Sequence, residues 1–129
     1  MDQMTCIAID DDSLFLRTIK LYLDQMDWVE LKETFTNPVR AAKGILQIEP
    51  QLILVDYEMP LVDGDYLIDW IKPKLDLMKK RPVIVLLSAV DEPPKSLLDN
   101  VDGFINKSMV RDMESFDALL KEFVHQKTT

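Results

Sequence analysis

One cysteine and one histidine are all that this 129-residue chain contains of those types, and each scarcity excludes something. A lone Cys6 cannot close an internal disulfide. In the apolar run TCIAI it reads as a small core residue, in keeping with a reducing compartment. With His125 alone near the end, no His/Cys cluster exists to hold zinc. No apolar run approaches the ~18 residues that a membrane span needs. The N-terminus lacks the basic and apolar parts of a signal peptide, so the expected location is the cytoplasm. Positive charge is also short: 15 Lys and Arg stand against 23 Asp and Glu, a net charge of -8. Such a chain repels nucleic acid and anionic membranes, and neither is expected as a direct partner. Repeats, low-complexity segments and an internal linker are all missing.

What the chain does have is a core and a pattern. With 47% hydrophobic residues it can bury a sizeable interior, and its length suits a single domain over residues 1–129, with a core of about 5–124. Short apolar runs alternate with longer amphipathic stretches. Thr5–Ile9, Val29–Phe35, Leu52–Val55, Pro82–Leu87 and Gly103–Ile105 read as strands, the second nearer an edge because it alternates. Ser13–Met26 reads as a helix. So does the stretch from Asn37-Pro38 to about Ile48, which starts with a capping residue and a first-turn proline. A third helix over Asp65 to about Leu77 should kink or end early at Pro73. The segment DEPPKSLLDN leaves room for only a short helix. A last one covers Arg111–Val124, with HQKTT as a frayed end and with Met109, Met113 and Phe116 as core. Five strand–helix units in strict alternation imply an α/β fold: a doubly wound, parallel five-stranded (βα)5 sheet with helices on both faces.

In such a sheet function gathers beyond the carboxyl ends of the strands. There the first strand gives Asp10, Asp11 and Asp12, the third Asp56, the fourth Ser88 and the fifth Lys107. Asp12 or Ser13 is also a candidate cap for the first helix. Carboxylates held together repel unless a cation sits among them, and hard oxygen ligands select Mg2+, with Mn2+ as a substitute. A carboxylate beside that ion can attack phosphorus and form an aspartyl phosphate. The ion, Lys107 and the Ser88 hydroxyl would each take one equatorial oxygen. On this reading Asp56 ends a buried strand so that it can be phosphorylated.

The motifs IDDDS, LILVDYEMPLVDGDYL, VIVLLSA and GFINK, in this order, resemble the receiver domain of two-component response regulators, including the chemotaxis regulators, over Thr5 to Val124. The resemblance implies the flavodoxin-like strand order 2-1-3-4-5. It implies Asp56 as phosphoacceptor from a histidine kinase or histidine phosphotransfer protein. Asp10 and Asp11 would bind the metal with Asp56 and the backbone carbonyl of Glu58. Lys107 would pair with the acyl phosphate. Ser88 and Phe104 would be switch residues that move together and signal to a downstream output protein or domain; a homodimer is compatible with this. Such a domain is a phosphoacceptor switch and not an enzyme, beyond catalysing its own phosphorylation and dephosphorylation.

The chain departs from the family pattern at Ser108, which stands where proline usually follows the lysine, at the short Ser88–Lys107 stretch with Pro93-Pro94, and at Pro73. A cis bond without proline costs ~3 kcal/mol, which favours a trans Lys107–Ser108 bond. Two other functions compete. A pseudo-receiver would keep the fold as an interaction module without phosphorylation. A haloacid dehalogenase-like phosphatase also uses a strand-end Asp with Mg2+, but wants Thr where Pro60 stands and its nucleophile on the first strand.

Overall fold

The computed structural model describes residues 3–58, 72, 73, 75, 76, 78 and 80–128. Five strands, β1 (Met4–Ile9), β2 (Val29–Phe35), β3 (Leu52–Asp56), β4 (Val83–Ser88) and β5 (Gly103–Asn106), pair in parallel in the order β2-β1-β3-β4-β5. Every residue of β3 and β4 is buried, as suits strands covered on both faces. β2 at the edge does not alternate as its sequence suggested: Val29 and Phe35 at its ends are buried while Lys32 and Glu33 in its middle are exposed, and its register with β1 slips between Cys6 and Ile7.

Side chains of successive strand residues go to opposite faces, and this splits the core in two. Ile7, Ile9, Ile53 and Val55 meet Ala41, Ala42 and Ile45 of α2 (Pro38–Ile48) on one face. Cys6, Ala8, Leu52 and Leu54 meet Leu16, Ile19 and Leu23 of α1 (Ser13–Asp24) on the other. Burial there pushes the Cys6 thiol up, so it stays a protonated core residue. The caps follow the local sequence. Asp12 accepts from Leu14 N and Phe15 N to start α1, while Asn37 accepts from Val39 N and Arg40 N ahead of Pro38 to start α2. α2 stops at Glu49, in a left-handed conformation (φ 51°), just before Pro50.

Of the helix expected over 65–77, residues 65–71, 74 and 77 lie outside those described. Lys72, Pro73 and Leu75 are helical, and Asp76 N donates to Lys72 O. The segment before β5 carries α3 (Lys95–Leu98), as short as its prolines suggest. The final helix, α4 (Met113–Thr128), packs Phe116 and Leu120 beside α1. It departs from expectation at both ends. Asp112, bonded through its side chain to Ser115 N at 2.8 Å, delays its start. Of the HQKTT stretch, His125–Thr128 continue the helix instead of fraying, because Lys127 Nζ donates to Pro82 O at 2.7 Å and to Asp102 Oδ2 at 3.0 Å. Met109 is 47% exposed and so is not the core residue its sequence suggested.

Candidate functional site

Register decides which side chains meet. Ile9 lies beside Val55, so Asp10, one residue on, reaches the level of Asp56. Asp56 pairs with Leu87, and Ser88 with Asn106, so Ser88 and Lys107 each begin one step further along the same edge. This edge includes the β1/β3 boundary, the point at which strand order reverses and where doubly wound sheets place their ligand sites.

Asp10, Asp11 and Asp56 converge there, each offering an oxygen within 4.8 Å of the others. Asp10 and Asp56 are buried, Asp11 is exposed. Lys107 Nζ lies 2.7 Å from Asp10 Oδ2 and 3.4 Å from Asp56 Oδ1. It also sits 4.7 Å from the centre of the Phe15 ring in the first turn of α1, in cation–π range. Among the described residues neither of those two carboxylate oxygens receives a well-directed hydrogen bond, and the Lys107 ammonium is the charge that compensates them. Asp10 Oδ1, by contrast, accepts from Asp12 N at 2.9 Å.

The electrostatics are those of a crowded, dry site. Burial, and then the neighbouring Asp10 charge, push the Asp56 carboxyl up to about 7. Asp10 is raised as well, by burial, with Lys107 opposing the shift. Burial works against the charge of Lys107, but its bond to Asp10 and the charges of both acids outweigh that and raise it. Three hard oxygen donors, two of them buried and lacking a directed donor, fit a Mg2+-type ion.

Ser88 is fully buried and its hydroxyl is engaged: Oγ donates to Glu58 Oε1 at 2.9 Å and accepts from Val90 N at 2.9 Å. Ala89 N donates to the same Glu58 oxygen at 3.0 Å. Glu58, singled out in the sequence for its carbonyl, thus brings its side chain into the site. Phe104 is half-buried on β5 and packs against the core on the α2 face, as does Tyr57. The turn formers Met59-Pro60 and Asp63-Gly64, and Trp70, lie outside the described residues.

Sequence reasoning passed over Asn106. Its Oδ1 accepts from Ser108 N at 2.9 Å and from Ser108 Oγ at 2.7 Å, and its Nδ2 donates to Val90 O at 3.2 Å and Asp91 Oδ1 at 2.9 Å. It therefore caps the 3-10 turn Lys107–Met109 and ties it to the loop after β4. No cis peptide occurs among the described residues, and Lys107 reaches both acids without the usual proline. The signal available was an Asn two residues before a Ser at a strand end, a common side-chain turn pattern.

Residues 6–122 match the family model described as response regulator receiver domain. Among curated proteins, a protein-glutamate methylesterase/protein-glutamine glutaminase 2 of Pseudomonas fluorescens is 29% identical over 126 residues, covering 92% of this chain and 33% of that protein. The transcriptional regulatory protein BtsR of Salmonella typhi is 27% identical over 86 residues, covering 67% of this chain and 34% of that protein. The chain thus spans about a third of the length of these relatives. The solved signal receiver domain of NarL from Mycobacterium tuberculosis superimposes with a TM-score of 0.79 at 24% identity, covering 95% of this chain and 98% of that one. The response regulator domain of Thermotoga maritima CheB does so with a TM-score of 0.79 at 16% identity, covering 98% of each. These two likenesses concern the fold. With the family match spanning nearly all of the chain and the strand order in agreement, the chain belongs to the response regulator receiver domain family.

Proposed function

We propose that this domain is a phosphoacceptor switch in which Asp56 takes a phosphoryl group from a histidine kinase or histidine phosphotransfer protein. The observation that carries the proposal is the convergence of Asp10, Asp11 and Asp56 on one point, with Lys107 reaching into it. The family supports it, and the complete set of acids and the lysine argues against the pseudo-receiver reading.

In the proposed reaction an Asp56 carboxylate oxygen attacks phosphorus while the bond to the donor's imidazole nitrogen breaks. The electron pair leaves with the imidazole, which takes its proton from solvent. Asp10, Asp11 and Asp56, with the Glu58 carbonyl, would hold a Mg2+ ion that neutralises charge on the phosphoryl oxygens. Asp56 must be ionised to attack, and its raised pKa means that compensating positive charge favours the reactive form. Lys107 already stands within 3.4 Å of Asp56 and would pair with a phosphoryl oxygen by a short movement of its side chain. The Ser88 hydroxyl and Phe104 would then shift, altering the surface offered to an output protein or domain. Residues 1–129 act as one domain on this reading, and no reaction on a separate substrate is assigned to it.

Incubation with acetyl phosphate tests this by intact mass. One phosphoryl group should be gained with Mg2+, none in chelator, and none in Asp56→Asn. A gain that survives Asp56→Asn sinks the assignment.

A further inference from the structure

We infer that the side chain of Glu58 is an internal anion that occupies the oxyanion subsite at Ser88 and Ala89 and must leave before a phosphoryl group, or a mimic of one, can bind there. The inference rests on Asp56 being the phosphoacceptor.

Glu58 is an exposed residue whose carboxylate nevertheless turns back onto the protein. One oxygen, Oε1, takes two donors: the buried hydroxyl of Ser88 at 2.9 Å and the main-chain N–H of Ala89 at 3.0 Å. Both are hydrogen bonds to a charged acceptor, the stronger kind. The pair sits at the carboxyl end of β4, directly beside the strand that ends in Asp56, since Asp56 and Leu87 are partners and Tyr57 N donates to Leu87 O at 2.8 Å. A hydroxyl and an amide aimed at a single oxygen form a small oxyanion receptor. A carboxylate and a phosphoryl oxygen satisfy it in the same way, so the two compete for it.

The rest of the site sharpens the competition. Asp10, Asp11 and Asp56 already crowd this edge with negative charge, and Lys107 is the cation paired with them among the described residues. A fourth carboxylate over Ser88 adds repulsion toward an incoming anion besides filling its donors. A site whose competent form is the open one has its apparent affinity reduced by the open fraction. Water takes over both bonds when Glu58 leaves, so only their net worth counts, and the reduction should be at least about tenfold.

The test uses beryllofluoride, a phosphoryl mimic, titrated with Mg2+ into the wild type, Glu58→Ala and Glu58→Gln, with bound fluoride followed by fluorine NMR. Both variants keep the backbone carbonyl. Glu58→Ala should bind about tenfold more tightly than the wild type. Glu58→Gln, which keeps an acceptor but loses the charge, should fall between them. In amide spectra the Ala89 N–H resonance should differ between the free wild type and free Glu58→Ala, then coincide once both are saturated, a convergence that a merely structural role would not give. If the wild type binds and Glu58→Ala binds equally or more weakly, this inference fails and the phosphoacceptor reading stands. Tight binding by Glu58→Ala alone supports it. If none of the three binds, both fall together.

Discussion

Lys107 Nζ lies closer to Asp10 Oδ2, at 2.7 Å, than to Asp56 Oδ1, at 3.4 Å. Its first duty in the resting domain is therefore to neutralise the fully buried Asp10. Removing one partner of a buried ion pair leaves the other uncompensated. Lys107→Met should lower stability by about 3 kcal/mol at neutral pH in the absence of divalent ions. Added Mg2+ should restore much of that loss by supplying the missing charge. Thermal melts with and without Mg2+ measure both effects, and a melt unchanged by the substitution would remove Lys107 from the electrostatic balance.

The pH dependence follows from Asp56. Its folded pKa is raised to about 7, chiefly by burial and then by Asp10, against roughly 3.9 in an unfolded chain. Between those values the folded state holds a proton that the unfolded state has released. This contribution is complete below the unfolded pKa and is lost as pH rises through the folded one. Asp10, also raised, acts in the same direction. Lys107, raised from its usual value, contributes stability that disappears only in strong alkali, outside this window. Metal-free protein should consequently melt higher at pH 5 than at pH 7.5. The slope should shrink in Asp56→Asn and in saturating Mg2+. Rising stability between these pH values would contradict the buried, crowded site.

Asn106 positions the lysine. It caps the turn that begins at Lys107 and binds the loop after β4, using both ends of its amide. Asn106→Ala should cost about 1–2 kcal/mol of stability, the scale of a lost cap. It should also raise amide exchange at Ser108 and slow phosphorylation from acetyl phosphate. Asn106→Asp keeps the acceptor and should restore Ser108 protection, which separates the capping bond from the contact to Asp91.

Gly103 is required by close approach. A Cβ there would run into the Phe123 ring near its point of attachment, where the side chain has little freedom to yield. Gly103→Ala should destabilise by about 1–3 kcal/mol, the range for overpacking. Denaturant unfolding reads it, and pairing the change with Phe123→Ala, which removes the clashing atoms, should cost less than the sum of the two single changes.

The strands could be anticipated because buried parallel strands announce themselves as short apolar runs, LILV and VIVLL above all, with an acid or hydroxyl at the end, whereas their order followed from the resemblance to receiver domains. Asp10, Asp11, Asp56 and Lys107 were within reach for the same reason: Asp10 and Asp56 directly follow such runs, and Asp11 and Lys107 stand one residue further on. Glu58's side chain was not, because its partners at Ser88 and Ala89 lie 30 and 31 residues away and meet it only through the β3–β4 register. The final turns of α4 were misread because HQKTT is locally polar and unremarkable. What holds them is Lys127, whose partners Pro82 and Asp102 are 45 and 25 residues distant. Local pattern reveals the elements; contacts set by tertiary register, including those that hold the end of α4, stay hidden from it.

Borohydride trapping is the most direct test of the phosphoacceptor. It reduces an acyl phosphate to an alcohol, so peptide mapping after phosphorylation names the residue that carried the group. Homoserine should appear at position 56, only when Mg2+ was present. Homoserine at position 11 or elsewhere, or none at any acid under conditions where the folded protein binds Mg2+, would contradict the reading.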